Sequence, residues 1–406
     1  MNKEKQVHIA SFGCKRRFVD AERIKNYFSA NGIDMSVSPK EADYLIIVTC
    51  GLTKDVEARC ISCIESFKKL KGKLLIYGCL PAMNPEALAK VYDGKTVITM
   101  EIAKFDELFP EFAVKFKDIP DANRALEIKP AARKPYPYPL RALKRLLKPV
   151  YLLLVKKPET EERQEDIGCN NNFFTLRISE GCLGSCSYCN IRKAIGRLKS
   201  KPVSLLLREL RKGLAENQYK INIISSDTGS YGMDIGSTLP ELLWAILNED
   251  KRITIEFIQD LHPHWICRYK KDFIDMAKTG RIKSMLTAFQ SGNSRILKLM
   301  RRDTDLKEFK ETINSMREYC PGIKIRTQAI VGFPTETEEE FMDTLNFIKE
   351  CGFNQVDIFP YYELEGMESK NITPKVEPSR ISVRVKKMRN AIDAPSRASP
   401  LPPTDP

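Results

Sequence analysis

The segment Gly181-Cys182-Leu-Gly-Ser-Cys186-Ser-Tyr-Cys189 packs three cysteines into eight positions at the spacing C-x3-C-x2-C. Three thiolates can hold three irons of a four-iron cluster and leave the fourth iron without a protein ligand. An open position of that kind is how catalytic metal sites bind a small molecule. Spacings of four and three would also stack cysteines on one helix face as core residues. Gly181 and Gly184 weigh against a regular helix there, because glycine is a poor helix former. Cluster ligation is therefore the expectation for Cys182, Cys186 and Cys189.

A second set is dispersed along the chain. Cys14, Cys50 and Cys79 each follow a strand-like segment: Val7–Phe12, Tyr44–Thr49 and Lys73–Tyr77. In an open parallel α/β sheet the C-terminal strand ends share one edge, and ligands bind there. Topology would then bring three thiolates together, able to hold a second cluster with its own open iron. Cys60 and Cys63 form a C-x-x-C pair, a redox or metal pattern. With Cys50 and Cys79 they offer a competing four-thiolate zinc site, which the placement at strand ends disfavours. Cys169, Cys267, Cys320 and Cys351 read as packing residues, and His262 and His264 as loop residues. With three histidines in 406 residues, a metal site must rest mainly on thiolates, and soft thiolates select iron–sulfur clusters or zinc.

The elements that must position these residues fall into two α/β series. Over residues 1–110, strand-like segments, including Thr96–Thr99, alternate with helical ones (Asp20–Ala30, Val56–Leu70 and one opening at Asn84-Pro85). That alternation implies a parallel sheet with covering helices. Residues 111–168 break the pattern as a basic, Pro-containing insert. Over 169–369 the strand candidates are Phe173–Ile178, Ile221–Ser225, Ile253–Ile258, Ser284–Ala288, Ile323–Ile330 and Gln355–Phe359. Six such βα units suggest a (βα)6 partial barrel with its chemistry at the C-terminal strand ends. Residues 370–406 hold the basic stretch RVKKMRN and end in a Pro/Ser-rich tail without a core. The expected fold class is α/β, an open parallel sheet domain followed by a partial TIM barrel.

Composition narrows the class. Hydrophobic residues at 42% and charged residues at 29% exclude a disordered, collagenous or small disulfide-stapled chain. No apolar run approaches the roughly 18 residues of a membrane span, and the N-terminus lacks the apolar core of a secretory signal. A cytoplasmic location is expected, where twelve cysteines would stay reduced. The formal charge is +13, and residues 129–157 alone carry nine basic residues and no acidic one. This insert is either a solvated linker or a contact for a polyanion such as RNA, an acidic peptide or a membrane surface.

The motif C-x3-C-x-aromatic-C resembles the signature of radical S-adenosylmethionine enzymes. The resemblance implies that the open iron is chelated by the amino and carboxylate groups of S-adenosylmethionine. It further implies that one electron cleaves the sulfonium to a 5′-deoxyadenosyl radical, and that Tyr188 packs near the adenine. The contexts of the first set are similar to the N-terminal domain of the methylthiotransferase family: Ser11, Gly13 and Cys14 with Asp20 and Glu22, Thr49-Cys50, and Gly78-Cys79-Leu-Pro with Pro85-Glu86. Asp227-Thr-Gly-Ser-Tyr231-Gly232, Phe289-Gln290-Ser291-Gly292 with Leu299-Met300-Arg301-Arg302, and Val331-Gly332-Phe333-Pro334 through Glu336 and Thr337 look like that family's barrel loops, in family order, as far as about Arg389. Asp227, Tyr231, Gly232, Gln290, Ser291, Gly332, Phe333 and Pro334 are thereby implied as cofactor-binding residues. The implied cofactors are two 4Fe-4S clusters and S-adenosylmethionine.

The family's members install a methylthio group on a transfer RNA adenosine or a ribosomal-protein aspartate, a second S-adenosylmethionine supplying the methyl group. The expected activity here is thiolation or methylthiolation of an unactivated C–H carbon of a tRNA base or a peptide side chain, with a low-potential electron donor as a further partner. An oxidation or cross-link that uses the second cluster for electron transfer is the alternative, followed by a non-catalytic RNA-binding iron–sulfur protein. The chain departs from the family's pattern at several points. Arg17 and Val48 stand where asparagine is usual, Ser226 where glutamine is common, and Thr335 where glycine is. The stretch after Cys189 lacks the usual proline and the arginine before glycine. The family usually ends in a small RNA-binding β-barrel, TRAM, whereas a short tail follows Arg389 here.

Overall fold

A computed structural model describes residues 5–124, 173–302, 304–364 and 366–393. Most of the insert, Cys169 and the Pro/Ser-rich tail lie outside the described residues. The chain forms two compact units, one reaching Arg177 and including 191–196, the other made of 178–190 and the residues from 197 onward.

The first unit is a five-stranded parallel sheet. Its strands are β1 (Gln6–Ser11), β2 (Asp34–Met35), β3 (Tyr44–Thr49), β4 (Lys73–Gly78) and β5 (Thr96–Ile98), in the order β2-β1-β3-β4-β5. The strands bury both faces, so apolar residues run nearly without interruption along them. Val7, Ile9, Tyr44, Ile46, Val48, Leu75 and Tyr77 face one core, with Ile24, Tyr27 and Phe28 of helix α1 (Lys15–Ala30). Ala10, Leu45, Ile47 and Ile76 face the other, with Cys60, Cys63, Ile64 and Phe67 of α2 (Lys54–Phe67). Short helices α3 (Leu80–Met83), α4 (Pro85–Ala89) and α5 (Phe105–Leu108) follow. Asn84 caps α4 by accepting from the Ala87 N–H at 3.2 Å, with Pro85 in the first turn. Phe112, Phe116 and Ile119, beyond residue 110, belong to the first core. In this strand order β1 lies beside β3, and the winding reverses between them, which opens a crevice at their C-terminal ends.

Strand β6 (Phe174–Arg177) ends the first unit, and helix α6 (Arg192–Ile195) belongs to it as well. The second unit opens on β7 (Ser179–Glu180), paired antiparallel with β8 (Lys199–Ser200). After α7 (Val203–Ala215) come β9 (Lys220–Ile224), α8 (Leu239–Glu249), β10 (Thr254–Ile258), α9 (Pro263–Arg268), α10 (Lys270–Lys278), β11 (Ser284–Gln290), α11 (Ser294–Leu299), α12 (Leu306–Tyr319), β12 (Lys324–Val331), α13 (Glu338–Cys351), β13 (Gln355–Pro360) and α14 (Pro378–Asp393). β9 to β13 lie side by side in chain order and are all parallel. Each crossover thus steps to the next strand, the winding of a TIM-type barrel. All six strand candidates of this half are strands, within two residues at each end. The basic stretch RVKKMRN lies on α14. No described helix is long and apolar enough to cross a membrane.

Candidate metal centres

Cys14, Cys50 and Cys79 end three adjacent strands, β1, β3 and β4, and the β1–β3 pair straddles the winding reversal. Cys14 is the N-cap of α1 and Cys79 the N-cap of α3, so each strand turns directly into a helix at its cysteine. Gly13 adopts φ +104°, and a Cβ built there would lie 2.6 Å from Cys50 Cβ and 3.0 Å from Cys50 Sγ. Only glycine tolerates that approach, and its backbone conformation favours glycine as well. Cys50 and Cys79 are buried, and Cys14 is half-buried. Burial pushes the Cys50 thiol well up, and the neighbouring Cys79 and Cys14 thiols push it further, against a hydrogen bond from the Leu52 backbone. Burial likewise raises Cys79, against the pull of Arg17. Two buried thiols and a half-buried one, with the Arg17 cation near them, suit a metal-rich core, since a coordinating thiol is deprotonated outright.

The zinc alternative gains nothing from the geometry. Cys60 donates its thiol to the Cys50 carbonyl at 3.5 Å, and burial pushes both Cys60 and Cys63 up to about 12. Both pack in the second core with Ile64 and Phe67. Among the described residues no three His, Cys, Asp or Glu side chains converge to hold a metal ion. A four-iron cluster is wider than one ion and takes its thiolates further apart.

Cys182, Cys186 and Cys189 lie in an irregular loop after β7, as Gly181 and Gly184 imply. Gly184 donates its N–H to Cys182 Sγ at 3.1 Å. A Cβ on Gly184 would stand 3.2 Å from Cys182 Sγ and 3.7 Å from Cys186 Sγ, filling the space between the sulfurs. Burial pushes the Cys182 thiol up to about 12, with Asp227 adding to it. Cys189 is exposed. Ser187 pins the loop: its N–H donates to the Met300 carbonyl at 3.1 Å and its hydroxyl to the Leu299 carbonyl at 2.8 Å. Two thiols that both lie close to Gly184, with its backbone amide aimed at one of the sulfurs, suit a thiolate-bound cluster.

Comparison with known proteins matches both halves. Residues 6–99 match the model of UPF0004, described as an uncharacterized protein family, and residues 176–348 match the Radical SAM superfamily. Ribosomal protein uS12 methylthiotransferase RimO of Thermus thermophilus is 27% identical, over 95% of this chain and 81% of its own. A probable threonylcarbamoyladenosine tRNA methylthiotransferase of Pyrococcus horikoshii is 26% identical, over 88% and 76%. Along most of its length the chain is thus similar to radical S-adenosylmethionine methylthiotransferases. The solved structure of the radical S-adenosylmethionine methyltransferase TsrM from Kitasatospora setae shares the fold, with a TM-score of 0.59 at 12% identity, covering 90% of this chain and 77% of that one.

The barrel residues expected to bind cofactor divide into two groups. Gln290 ends β11 at φ +71°, is buried, and leaves its Oε1 without a partner among the described residues. Asp227 is buried and accepts from the Trp265 indole N–H at 3.0 Å, while Cys182 Sγ lies 3.9 Å away. Burial pushes the Asp227 carboxyl up to about 6, against the Trp265 hydrogen bond. Tyr188 packs on the apolar cluster of Ile296, Met300 and Phe333.

The others have structural work. Tyr231 is fully buried and donates to the Lys201 carbonyl at 2.7 Å. Gly232 makes a turn at φ +85°, where a Cβ would strike the Ser237 backbone at 2.4 Å. Ser291 is buried and pairs with Thr344 at 3.3 Å. Gly332 donates to Glu336 at 2.8 Å and lies under Ile381 of α14. Pro334 is buried.

Sequence reasoning left several contributors unassigned. Trp265 holds Asp227, and a Cβ on Gly229 would lie 2.1 Å from its ring. Gln259, just past β10, also buries an Oε1 with no partner among the described residues. Arg302 is buried and donates to Tyr188 and to His262 Nε2, so His262, a loop residue as expected, also supports the site. Polar residues at successive strand ends were the available signal for Gln259.

Proposed function

We propose that the chain is a radical S-adenosylmethionine enzyme that inserts sulfur, as a thiol or methylthio group, at an unactivated carbon of a tRNA base or of a ribosomal-protein side chain. The observation that carries this reading is the placement of Cys14, Cys50 and Cys79 after three adjacent strands of the first unit and of Cys182, Cys186 and Cys189 in one loop of the second. Cys182, Cys186 and Cys189 hold the cluster that engages S-adenosylmethionine, and Cys14, Cys50 and Cys79 hold the auxiliary cluster. When bound, these groups supply one-electron cleavage of a sulfonium and a carrier for sulfur. The protein's own residues do the rest. Gly184 leaves room between two sulfurs and gives one of them an amide proton. Trp265 orients Asp227 beside Cys182. Gln290 and Gln259 offer amide groups at the ends of neighbouring strands, where a barrel enzyme binds its ligand. Arg302 fixes Tyr188 under the loop.

The acceptor classes follow the relatives, which are named for ribosomal protein uS12 and for tRNA. The test is anaerobic reconstitution with iron and sulfide, then incubation with S-adenosylmethionine, a low-potential reductant and, in separate arms, tRNA and protein uS12. About eight irons per chain, release of 5′-deoxyadenosine and a sulfur-containing mass gain on one acceptor are expected. Absence of deoxyadenosine from the fully loaded protein overturns the reading. A product oxidised or cross-linked without added sulfur replaces it with the electron-transfer alternative.

A further inference from the structure

Arg17 stands on the first turn of α1, three residues after Cys14, and its side chain is 5% exposed. Its Cγ lies 3.7 Å from the point where a Cβ on Gly13 would sit, the same point that is 3.0 Å from Cys50 Sγ. One terminal nitrogen of the guanidinium donates to Asp20 at 2.8 Å and to the Tyr77 hydroxyl at 3.3 Å. The Nε–H has no partner among the described residues. Asp20 is shared with Arg177 at 2.5 Å and accepts from Tyr77 at 2.8 Å, while Asp121 pairs with Arg177 at 2.9 Å and Arg23 at 3.2 Å. Among the described residues of this network three guanidiniums thus share two carboxylates, and the Arg17 charge is not cancelled in full. Burial works against the Arg17 charge, but Asp20, then Tyr77 and the Cys79 and Cys14 thiols, outweigh it and hold the guanidinium firmly protonated. Burying a cation with an uncommitted donor is costly unless an anion completes it.

The following inference rests on Cys14, Cys50 and Cys79 being cluster ligands. We propose that Arg17 is a positioning cation of the auxiliary site, whose buried charge favours added negative charge on the cluster and so raises its reduction potential. On reduction one electron passes from a low-potential donor to cluster iron, the donor is oxidised by one electron, and no bond is made or broken. The reduced cluster is one unit more negative and interacts more strongly with Arg17 than the oxidised one does. Net charge and hydrogen bonds to sulfur are among the levers that set such potentials.

The test uses the full chain carrying Cys182→Ala, Cys186→Ala and Cys189→Ala, which leaves only the auxiliary site. About four irons per chain support the ligand assignment, and near-zero iron overturns that assignment, independently of Arg17. The midpoint is then read by electron paramagnetic resonance during a reductive titration. Arg17→Gln should shift the reduction equilibrium at least tenfold toward the oxidised cluster, about 59 mV for one electron. Arg17→Lys, which keeps the charge, should stay near the parent. Asp20→Asn, which removes the opposing charge and keeps hydrogen-bonding capacity, should shift the midpoint upward. An unchanged midpoint in Arg17→Gln, or an equal fall in Arg17→Lys, overturns the role. Should Arg17→Gln hold no iron, Asp20→Asn decides: a rise supports the role, and no rise or loss of iron there overturns it.

Discussion

Arg302 donates to the Tyr188 hydroxyl at 3.0 Å, and the same nitrogen lies 2.8 Å from His262 Nε2 and 3.8 Å from Cys186 Sγ. A second nitrogen donates to the Ala288 carbonyl at the end of β11. One buried guanidinium therefore ties the cysteine loop to two strand ends. Arg302→Leu would leave the Tyr188 hydroxyl and the Ala288 carbonyl unsatisfied, at about 1–3 kcal/mol for each buried group. Urea unfolding should show that loss, and iron retained by the Cys182 triad should fall with it. Arg302→Lys should recover part of both, because lysine supplies donors without the planar fork.

Gly184→Ala separates space from ligation at the same loop. The added methyl would meet Cys182 Sγ at 3.2 Å and Cys186 Sγ at 3.7 Å, occupying the space between them. Gly184 is only partly buried, so the fold should unfold at the parent's urea concentration, within about 0.5 kcal/mol. Deoxyadenosine formation should drop by at least tenfold. Full cleavage activity in this variant would mean that the loop's sulfurs do not close on a cluster as described.

The strands were legible because two-faced burial writes apolar runs into sequence; Cys14, Cys50 and Cys79 were legible because each follows such a run, and Cys182, Cys186 and Cys189 because of their spacing. What could not be read depends on contacts between distant residues. α1 begins at Lys15, not Asp20, and Lys15 and Arg17 are buried in its first turn. β2 is two residues long, too short for a periodic signal. β11 runs to Gln290 past a register shift after Thr287, so its last residue takes a left-handed conformation that no pattern announces. Trp265 and Asp227 are 38 positions apart, and Arg302 and Tyr188 are 114. Arg302 stood within a recognised run, but its role needed its partners.

Gly13→Ala tests the first triad independently. At φ +104° a side chain costs about 1–3 kcal/mol, and the new Cβ would lie 2.6 Å from Cys50 Cβ. Either β1 or β3 must retreat at its end, spreading the thiols. Iron content should fall from about eight to about four per chain, while deoxyadenosine formation survives and sulfur transfer is lost. Cys50→Ala should give the same pattern. Sulfur transfer persisting in both variants would remove the first triad from the reaction.

Glu336 supplies a pH signature away from either triad. Its carboxylate accepts from the Gly332 N–H at 2.8 Å and pairs with Arg384 of α14 at 2.8 Å. Burial nevertheless pushes it up from 4.5 to about 7, with the Gly332 amide and Arg384 opposing. The folded chain thus holds this proton where the unfolded chain has released it. Wherever the folded state binds more protons, stability falls as pH rises. The Glu336 contribution is therefore present in full below about pH 4.5 and is lost between there and about pH 7. Glu336→Gln keeps an acceptor for Gly332 and Arg384 without the titration. Urea midpoints taken from pH 4.5 to 7.5 should fall less steeply in Glu336→Gln than in the parent. Parallel curves would show that Glu336 is ionised throughout, with the Arg384 pair strong enough to offset its burial.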